Sequence, residues 1–363
     1  MHIPNYNKIH NRFLLNGYFY DQKTLKEVAY NFIKEGDKYE NYMGDFLLDW
    51  LDTNDSIYLD CSGNNFNQKK IKVKKQFLVN SAISTGNYFN VSVGDKALHC
   101  LPANYIAGKM MLIRAMILGF EIDLISPSKM PFHKNDKSYD FVAMTPTQAF
   151  HSLNELHRVK KLIIGGAYVS NSLQQKLIKL NVRAYETYGM METLSHIAIR
   201  KMTDPISEFK CLPNIKVKTD KRNCLVIDAP ELGIDSLVTN DEVEIYSSNH
   251  FKLVGRVDYI INLDDSKLHP EQIERKLSQN LSFHFFVDKM KDTKNVEKLV
   301  LVIKDNPEIK VEKLKEQIRN CNSLKQYETP KAVVCFKNFI QSYSGKIKRN
   351  ETMDQIPNRI LDL

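Results

Sequence analysis

Several short stretches carry side chains suited to phosphate, sugar hydroxyls or a divalent cation. Ser62-Gly63 follows an apolar run and precedes Asn64, Asn65, Lys69 and Lys70. A turn of that kind after a strand can hold phosphate through backbone N–H groups and an ammonium, and a plain asparagine-rich turn accounts for the same letters. Gly165-Gly166-Ala167 ends another apolar run, where the backbone can approach a planar ligand or simply turn tightly. TYGMMET, from Thr187 to Thr193, supplies Tyr188, Gly189 and Glu192. The Glu192 carboxylate can hold Mg²⁺ directly or through water, with substrate phosphates as the other ligands; otherwise it is a solvated or capping group. Asp241, after Thr239-Asn240 at an expected strand end, can accept both hydroxyls of a ribose. Arg256 in Gly255-Arg256-Val257-Asp258 suits ribose or phosphate, and Asp258 suits a hinge. Ser344-Gly345-Lys346 sets a lysine on a loop, either to neutralise charge at a phosphoryl centre or as one more surface lysine.

These residues need a scaffold, and the hydrophobic pattern supplies an α/β one. SIYLD at 56, KALHCLP at 96, EIDLIS at 121, YDFVAMT at 139, KKLIIGG at 160 and VRAYETYG at 182 alternate with amphipathic segments, the pattern of a mainly parallel sheet flanked by helices. One helix is predicted from Tyr105 to Gly119, and another begins at Thr145-Pro146, a capping residue followed by proline. Residues 215 to 261 read as antiparallel strands. Beyond them PEQIERKLS, KLVLVI, Lys310 to Asn320 and AVVCF predict a small, mobile α+β unit. We expect a large N-terminal domain over 1–256 and a small C-terminal domain over 257–363. In an open parallel sheet ligands bind beyond the carboxyl ends of the strands, so convergence of the three loops at 62, 165 and 188 is more informative than any one of them.

The composition suits that scaffold. With 363 residues, 43% hydrophobic and 26% charged, the chain is neither disordered nor collagenous. Its net charge of +8 does not by itself argue for nucleic acid. The basic run Lys69 to Lys75 alternates with Ile71 and Val73, which predicts a half-buried strand rather than a nucleic-acid patch. Six cysteines stand far apart with no C-x-x-C pair, the spacing of reduced, packed thiols rather than a zinc site. The N-terminus has no signal-like apolar segment, and the longest apolar stretch, Met110 to Ile125, is broken by Arg114, Glu121 and Asp123. A cytoplasmic protein without a membrane span is expected.

In order, SG…K, LPANYIAGK, IIGGA, YGMMET, TND, GRVDYIIN, KLHPEQIE and PK…SGKIKR resemble the adenylate-forming acyl-CoA synthetase superfamily from about residue 58 to 349. LPANYIAGKMM, RNCLVIDAP and the short length are most similar to the o-succinylbenzoate-CoA ligases of menaquinone biosynthesis. The resemblance implies activation of a carboxylate by ATP to acyl-AMP, then displacement of AMP by the thiol of coenzyme A. It implies that Ser62, Gly63 and Lys69 hold the β,γ-phosphates and that Gly165, Gly166 and Ala167 line the adenine and acyl group. It sets Tyr188, Gly189 and Glu192 at adenine, α-phosphate and Mg²⁺, and Asp241 and Arg256 at the ribose. It makes Asp258 the hinge and Lys346 the lysine bridging acyl carboxylate and α-phosphate. Tyr105, Lys109 and His196 fall near the acyl-pocket motifs, where a packed tyrosine and histidine are equally natural. The implied partners are small molecules: a carboxylic acid, ATP and coenzyme A.

Some residues depart from the family pattern. Asn64, Asn65 and Phe66 replace two threonines and a glycine of the phosphate loop, Met191 replaces a threonine, and Asp264-Asp265 replaces a glycine pair. Phenylalanine cannot reproduce the backbone freedom of glycine, and two carboxylates oppose an approaching anionic cosubstrate. A second expectation follows: a relative that binds nucleotide, acyl ligand or a partner without completing the thioester.

Overall fold

The computed structural model describes residues 3–60, 70–133, 135–202, 208–263, 266–281, 283–291, 295–342 and 346–363. The expectations placed on Cys61 to Lys69, on Asp264-Asp265 and on Ser344-Gly345 therefore lie outside the described residues.

A thirteen-stranded sheet dominates the described residues. Leu14–Leu15, Glu121–Leu124, Lys96–His99, Tyr139–Met144, Val159–Ile164 and Ala184–Gly189 lie side by side and parallel. From Ala184–Gly189 outward the sheet turns antiparallel, through His196–Lys201, Phe209–Cys211, His250–Arg256, Ile234–Ser247, Cys224–Ala229 and Lys216–Thr219. Successive residues of the parallel strands face opposite sides. Phe141, Ala143 and Ile163 enter one core; Val142, Met144, Leu162 and Ile164 enter the other. Near-continuous apolar runs are what a sheet buried on both faces requires, and each fully buried large side chain stabilises the fold by about 1.5–3 kcal/mol relative to exposure.

Ile106–Leu118 covers one face and ends at Gly119 with φ 73°. Pro146–His151 starts as expected, with Thr145 Oγ1 accepting from the Gln148 N–H at 3.2 Å and the Gln148 side chain accepting from the Thr145 N–H at 3.0 Å.

Ser56–Asp60 does not join the parallel set. It pairs antiparallel with Lys70–Lys74 in a separate ribbon, Ser56 opposite Lys74 and Asp60 opposite Lys70. Only residues 61 to 69 connect the two strands, too few for a parallel crossover, which takes a dozen residues or more. Ile57, Leu59 and Val73 point into the core, and Lys70, Lys72 and Lys74 point out, as the alternation at 69–75 predicts. The helices Gln22–Lys34 and Lys38–Leu51, the strand Phe285–Lys291 and the helix Asn171–Lys179 were not anticipated from the sequence.

Residues from Ile261 onward build a separate hydrophobic core around a four-stranded sheet of Phe285–Lys291, Glu297–Lys304, Ala332–Phe336 and Arg359–Asp362. The helix Pro270–Leu277 packs on that sheet and also faces His250–Arg256. Arg275 donates to the Leu253 carbonyl at 2.9 Å, and Asn171 donates to the Arg275 carbonyl at 2.8 Å. Among the described residues no helix is long and apolar enough to cross a membrane. The described cysteines, Cys100, Cys211, Cys224, Cys321 and Cys335, are free and buried.

Candidate functional site

The loops after Val159–Ile164 and Ala184–Gly189 meet at the carboxyl end of the sheet. Gly165 is pinned between neighbours: its N–H donates to the Met144 carbonyl at 3.1 Å, and a Cβ there would collide with Thr187 Oγ1, which donates to the Ile164 carbonyl. Gly166 has φ +86°, a conformation that favours glycine, and Ala167 follows half-buried. Behind them Glu186 and Arg200 form a buried ion pair, and Glu186 also accepts from the Val169 N–H at 3.3 Å. A floor of fixed backbone thus opens toward solvent at Gly166. Glu192 is exposed, two turn residues beyond Met190.

Asp241 does not end a strand: it lies inside Ile234–Ser247, opposite Arg256 of His250–Arg256. A register shift just after it, between Glu242 and Val243, turns the strand locally. The buried Tyr188 hydroxyl donates to Asp241 Oδ2 at 2.5 Å, and Arg256 Nη1 lies 3.5 Å from Asp241 Oδ1. Tyr188 is wedged against Phe209 and Phe251, and burial followed by the Asp241 charge raises its pKa well above the ordinary phenol value, so it remains a donor. Arg256 Nη2 reaches Asp258 Oδ2 at 2.6 Å. Four of the predicted residues, Tyr188, Asp241, Arg256 and Asp258, thus form one connected group.

Lys346 lies on the C-terminal segment, held locally by Ser342. Its N–H donates to Ser342 Oγ at 3.1 Å, its carbonyl accepts from the Ser342 N–H at 2.8 Å, and Gln341 bridges Ile347. The residue is exposed as a whole, yet partial desolvation of the ammonium and the nearby Arg256 and Arg349 charges lower its pKa, against the opposite pull of Asp241 and Glu271. Arg349 anchors this segment: it forms a two-pronged pair with Glu274 of Pro270–Leu277 at 2.8 Å and stacks over Tyr259 at 4.9 Å.

The three acyl-pocket candidates separate. His196 is buried and lines a narrow pocket with Ser81, Ser84 and Leu212. Thr85 Oγ1 donates to the Ser81 carbonyl, so the His196 Nε2–H donates to Thr85 at 3.1 Å and Nδ1 accepts from Arg114 Nη2 at 3.4 Å. Burial, then the Arg114 charge, pushes the His196 pKa well below the ordinary value and keeps the ring neutral. Tyr105 instead caps Ile106–Leu118, and Lys109 acts electrostatically on Asp49 of Lys38–Leu51; neither lines that pocket.

Arg114, beside His196, was not among the candidates named from the sequence. It is 2% exposed, donates to Ser195 Oγ at 2.8 Å, and leaves Nε buried without a hydrogen-bond partner among the described residues. No carboxylate pairs with it among the described residues, and burial lowers its pKa to about 9. The sequence held a signal: a lone arginine interrupting the apolar run from Met110.

The donor set fits a nucleotide better than a protein-held metal. Asp241 keeps acceptor capacity beside the Arg256 guanidinium, whereas no group of three metal-ligating side chains occurs among the described residues. A magnesium ion carried by substrate phosphates would need only one carboxylate such as Glu192.

No family model matches the chain. An acyl-CoA synthetase (AMP-forming)/AMP-acid ligase II-like protein from Dyadobacter fermentans is 31% identical, with a TM-score of 0.59, and the match covers 90% of this chain and 97% of that one. The o-succinylbenzoate coenzyme A synthetase from Bacillus subtilis, solved with ATP and magnesium ion, shares the fold at 17% identity and a TM-score of 0.69, covering 82% of this chain and 69% of that one. The 2-succinylbenzoate–CoA ligase of Haemophilus influenzae is 20% identical over 241 residues, or 61% of this chain and 53% of the relative. The chain therefore spans about half the length of that curated relative. Near-complete mutual coverage at 31% identity, on the same fold, makes this chain a member of the AMP-forming acyl-CoA synthetase family.

Proposed function

We propose that the chain is an ATP-dependent acid–CoA ligase, divided near Arg256 into domains 1–256 and 257–363, that activates o-succinylbenzoate for menaquinone biosynthesis. The observation that supports the activation step is the connected group of Tyr188, Asp241, Arg256 and Asp258, to which the family resemblance adds Lys346 from the C-terminal segment. Joining a carboxylate to the α-phosphate of ATP brings two anions together, and an ammonium between them lowers the barrier electrostatically. The carboxylate oxygen bonds to the α-phosphorus as the bond to pyrophosphate breaks; Asp241 and Arg256 hold the ribose, and Gly165, Gly166 and Ala167 give the adenine and acyl group a flat floor. Glu192, together with the phosphates, would hold magnesium, which would supply charge neutralisation. In the second step the sulfur of coenzyme A bonds to the acyl carbon and AMP leaves, after the C-terminal domain has turned about Asp258 and withdrawn Lys346. Ser62, Gly63 and Lys69 are assigned to the β,γ-phosphates.

The choice of acid rests on Arg114. o-Succinylbenzoate keeps a second carboxylate after activation, and a buried guanidinium with no acidic partner among the described residues suits it. ATP–pyrophosphate exchange and thioester formation with o-succinylbenzoate test the proposal. Exchange abolished by Lys346→Ala supports it. Nucleotide binding by calorimetry with no exchange in the folded wild type rejects it in favour of a binding-only relative.

A further inference from the structure

The joint between the two cores is held by a side chain that the proposed mechanism does not use. Asn240 precedes Asp241 in Ile234–Ser247, and its Nδ2 donates to Asp258 Oδ1 at 3.0 Å. Its Oδ1 accepts from Arg222 Nη1 at 3.2 Å, and Arg222 Nη2 donates to the Thr239 carbonyl at 3.2 Å. A donor on one side and an acceptor on the other fix the amide in one orientation. Asp258 sits in the short turn Val257–Tyr259 that leads out of His250–Arg256, so its carboxylate is gripped from two neighbouring strands: Asn240 on one oxygen, Arg256 on the other.

Beneath this clasp the junction is poorly satisfied. Among the described residues, Glu242 Oε2, Arg256 Nε, His269 Nδ1 and Glu271 Oε2 are all buried without a hydrogen-bond partner. His269 Nε2 and Lys267 Nζ approach Glu242 only to 3.5 and 3.6 Å, and the Arg256 N–H reaches Glu271 Oε1 at 3.4 Å. The space that brings His269 and Glu271 close exists because residue 255 is glycine: a Cβ there would lie 2.9 Å from Glu271 Oε2 and 3.1 Å from His269 Nδ1. Buried polar atoms without partners favour any motion that returns them to water. The inner junction therefore resists this orientation, and the outer clasp maintains it.

We propose that Asn240, braced by Arg222, is a positioning residue that pins Asp258 and so holds the C-terminal unit in the orientation presenting Lys346 to Asp241 and Arg256. This rests on the ligase reading for its catalytic consequence, but the clasp itself is a property of the fold. Losing one hydrogen bond to a carboxylate at a half-exposed joint shifts the balance of orientations by roughly three- to tenfold.

The experiment uses the full chain as wild type, Asn240→Ala and Arg222→Met. ATP–pyrophosphate exchange, thioester formation from supplied o-succinylbenzoyl adenylate, and energy transfer between fluorophores at the exposed positions Leu180→Cys and Ile356→Cys, in a Cys61→Ser background, are read in parallel. Expected are a three- to tenfold fall in exchange for Asn240→Ala, a smaller one for Arg222→Met, no fall in the thioester step, and a changed transfer efficiency in both. Equal losses in the two half-reactions, or a transfer efficiency the same as wild type, overturn the proposal. If wild type shows no exchange, the ligase reading fails and the energy-transfer comparison alone decides the clasp.

Discussion

Replacing Arg114 with methionine separates a cation kept for a ligand from one kept for the fold. Burial lowers the Arg114 pKa from 12.5 to about 9. At about 1.4 kcal/mol per tenfold change in proton affinity, this corresponds to roughly 5 kcal/mol of unfavourable charge burial at neutral pH. Arg114→Met removes that cost. It also removes the donors to Ser195 and His196, a loss of about 3–6 kcal/mol together for hydrogen bonds from a charged group. The two sums nearly cancel, so Arg114→Met should lie within about 2 kcal/mol of wild type in urea unfolding at pH 7.5. Breaking a buried ion pair would instead cost about 3–5 kcal/mol. The same variant should lose at least tenfold in kcat/KM for o-succinylbenzoate while benzoate, with a single carboxylate, changes little. Destabilisation beyond about 3 kcal/mol, or equal losses for the two acids, would refute the argument.

Other expectations follow from named contacts. His99 is fully buried, with Nε2 against the Gly108 carbonyl, and burial pushes its pKa down to about 4. The unfolded chain then takes up a proton near pH 6.5 that the folded chain refuses, so stability should fall by about 3 kcal/mol as pH drops from about 6.5 to 4. His196 adds to this in the same direction. Urea midpoints at pH 7 and 4.5 measure the fall, and His99→Gln should shrink it. In Gly108→Ala the new Cβ would collide with the Pro102 carbonyl oxygen, which is backbone and cannot swing aside; a loss of about 1–3 kcal/mol is expected from thermal or urea unfolding. Tyr188→Phe strips the hydroxyl donor from Asp241, which should cost about 1.5–3 kcal/mol of stability and weaken ATP binding in calorimetry. Unchanged affinity would show that Tyr188 does not orient the Asp241 carboxylate.

What could be read in advance followed local rules. Tyr139–Met144 and Val159–Ile164 were visible because a strand buried on both faces must be apolar throughout, and Thr145-Pro146 because capping is local. Ser56–Asp60 was misplaced because an apolar strand looks the same in a ribbon as in a parallel sheet; only the short connection to Lys70 distinguishes them. Asp241 was expected at a strand end and lies inside Ile234–Ser247 instead. Its partners Tyr188 and Arg256 come from strands whose register, with a shift beside Glu242, no local pattern encodes. Arg114 and Asn240 were missed for opposite reasons. A charge inside an apolar run announces that burial must be compensated, by a protein group or by a ligand, and at Arg114 no described carboxylate does so. Asn240 looks like any turn residue, and its importance arises only from Arg222 on one side and Asp258 on the other. Chemistry that depends on burial thus leaves a trace in the sequence, whereas control that depends on two surface partners does not. Variants of the buried arginine should therefore alter which acid is accepted, and variants of the surface asparagine should alter the balance between the two half-reactions.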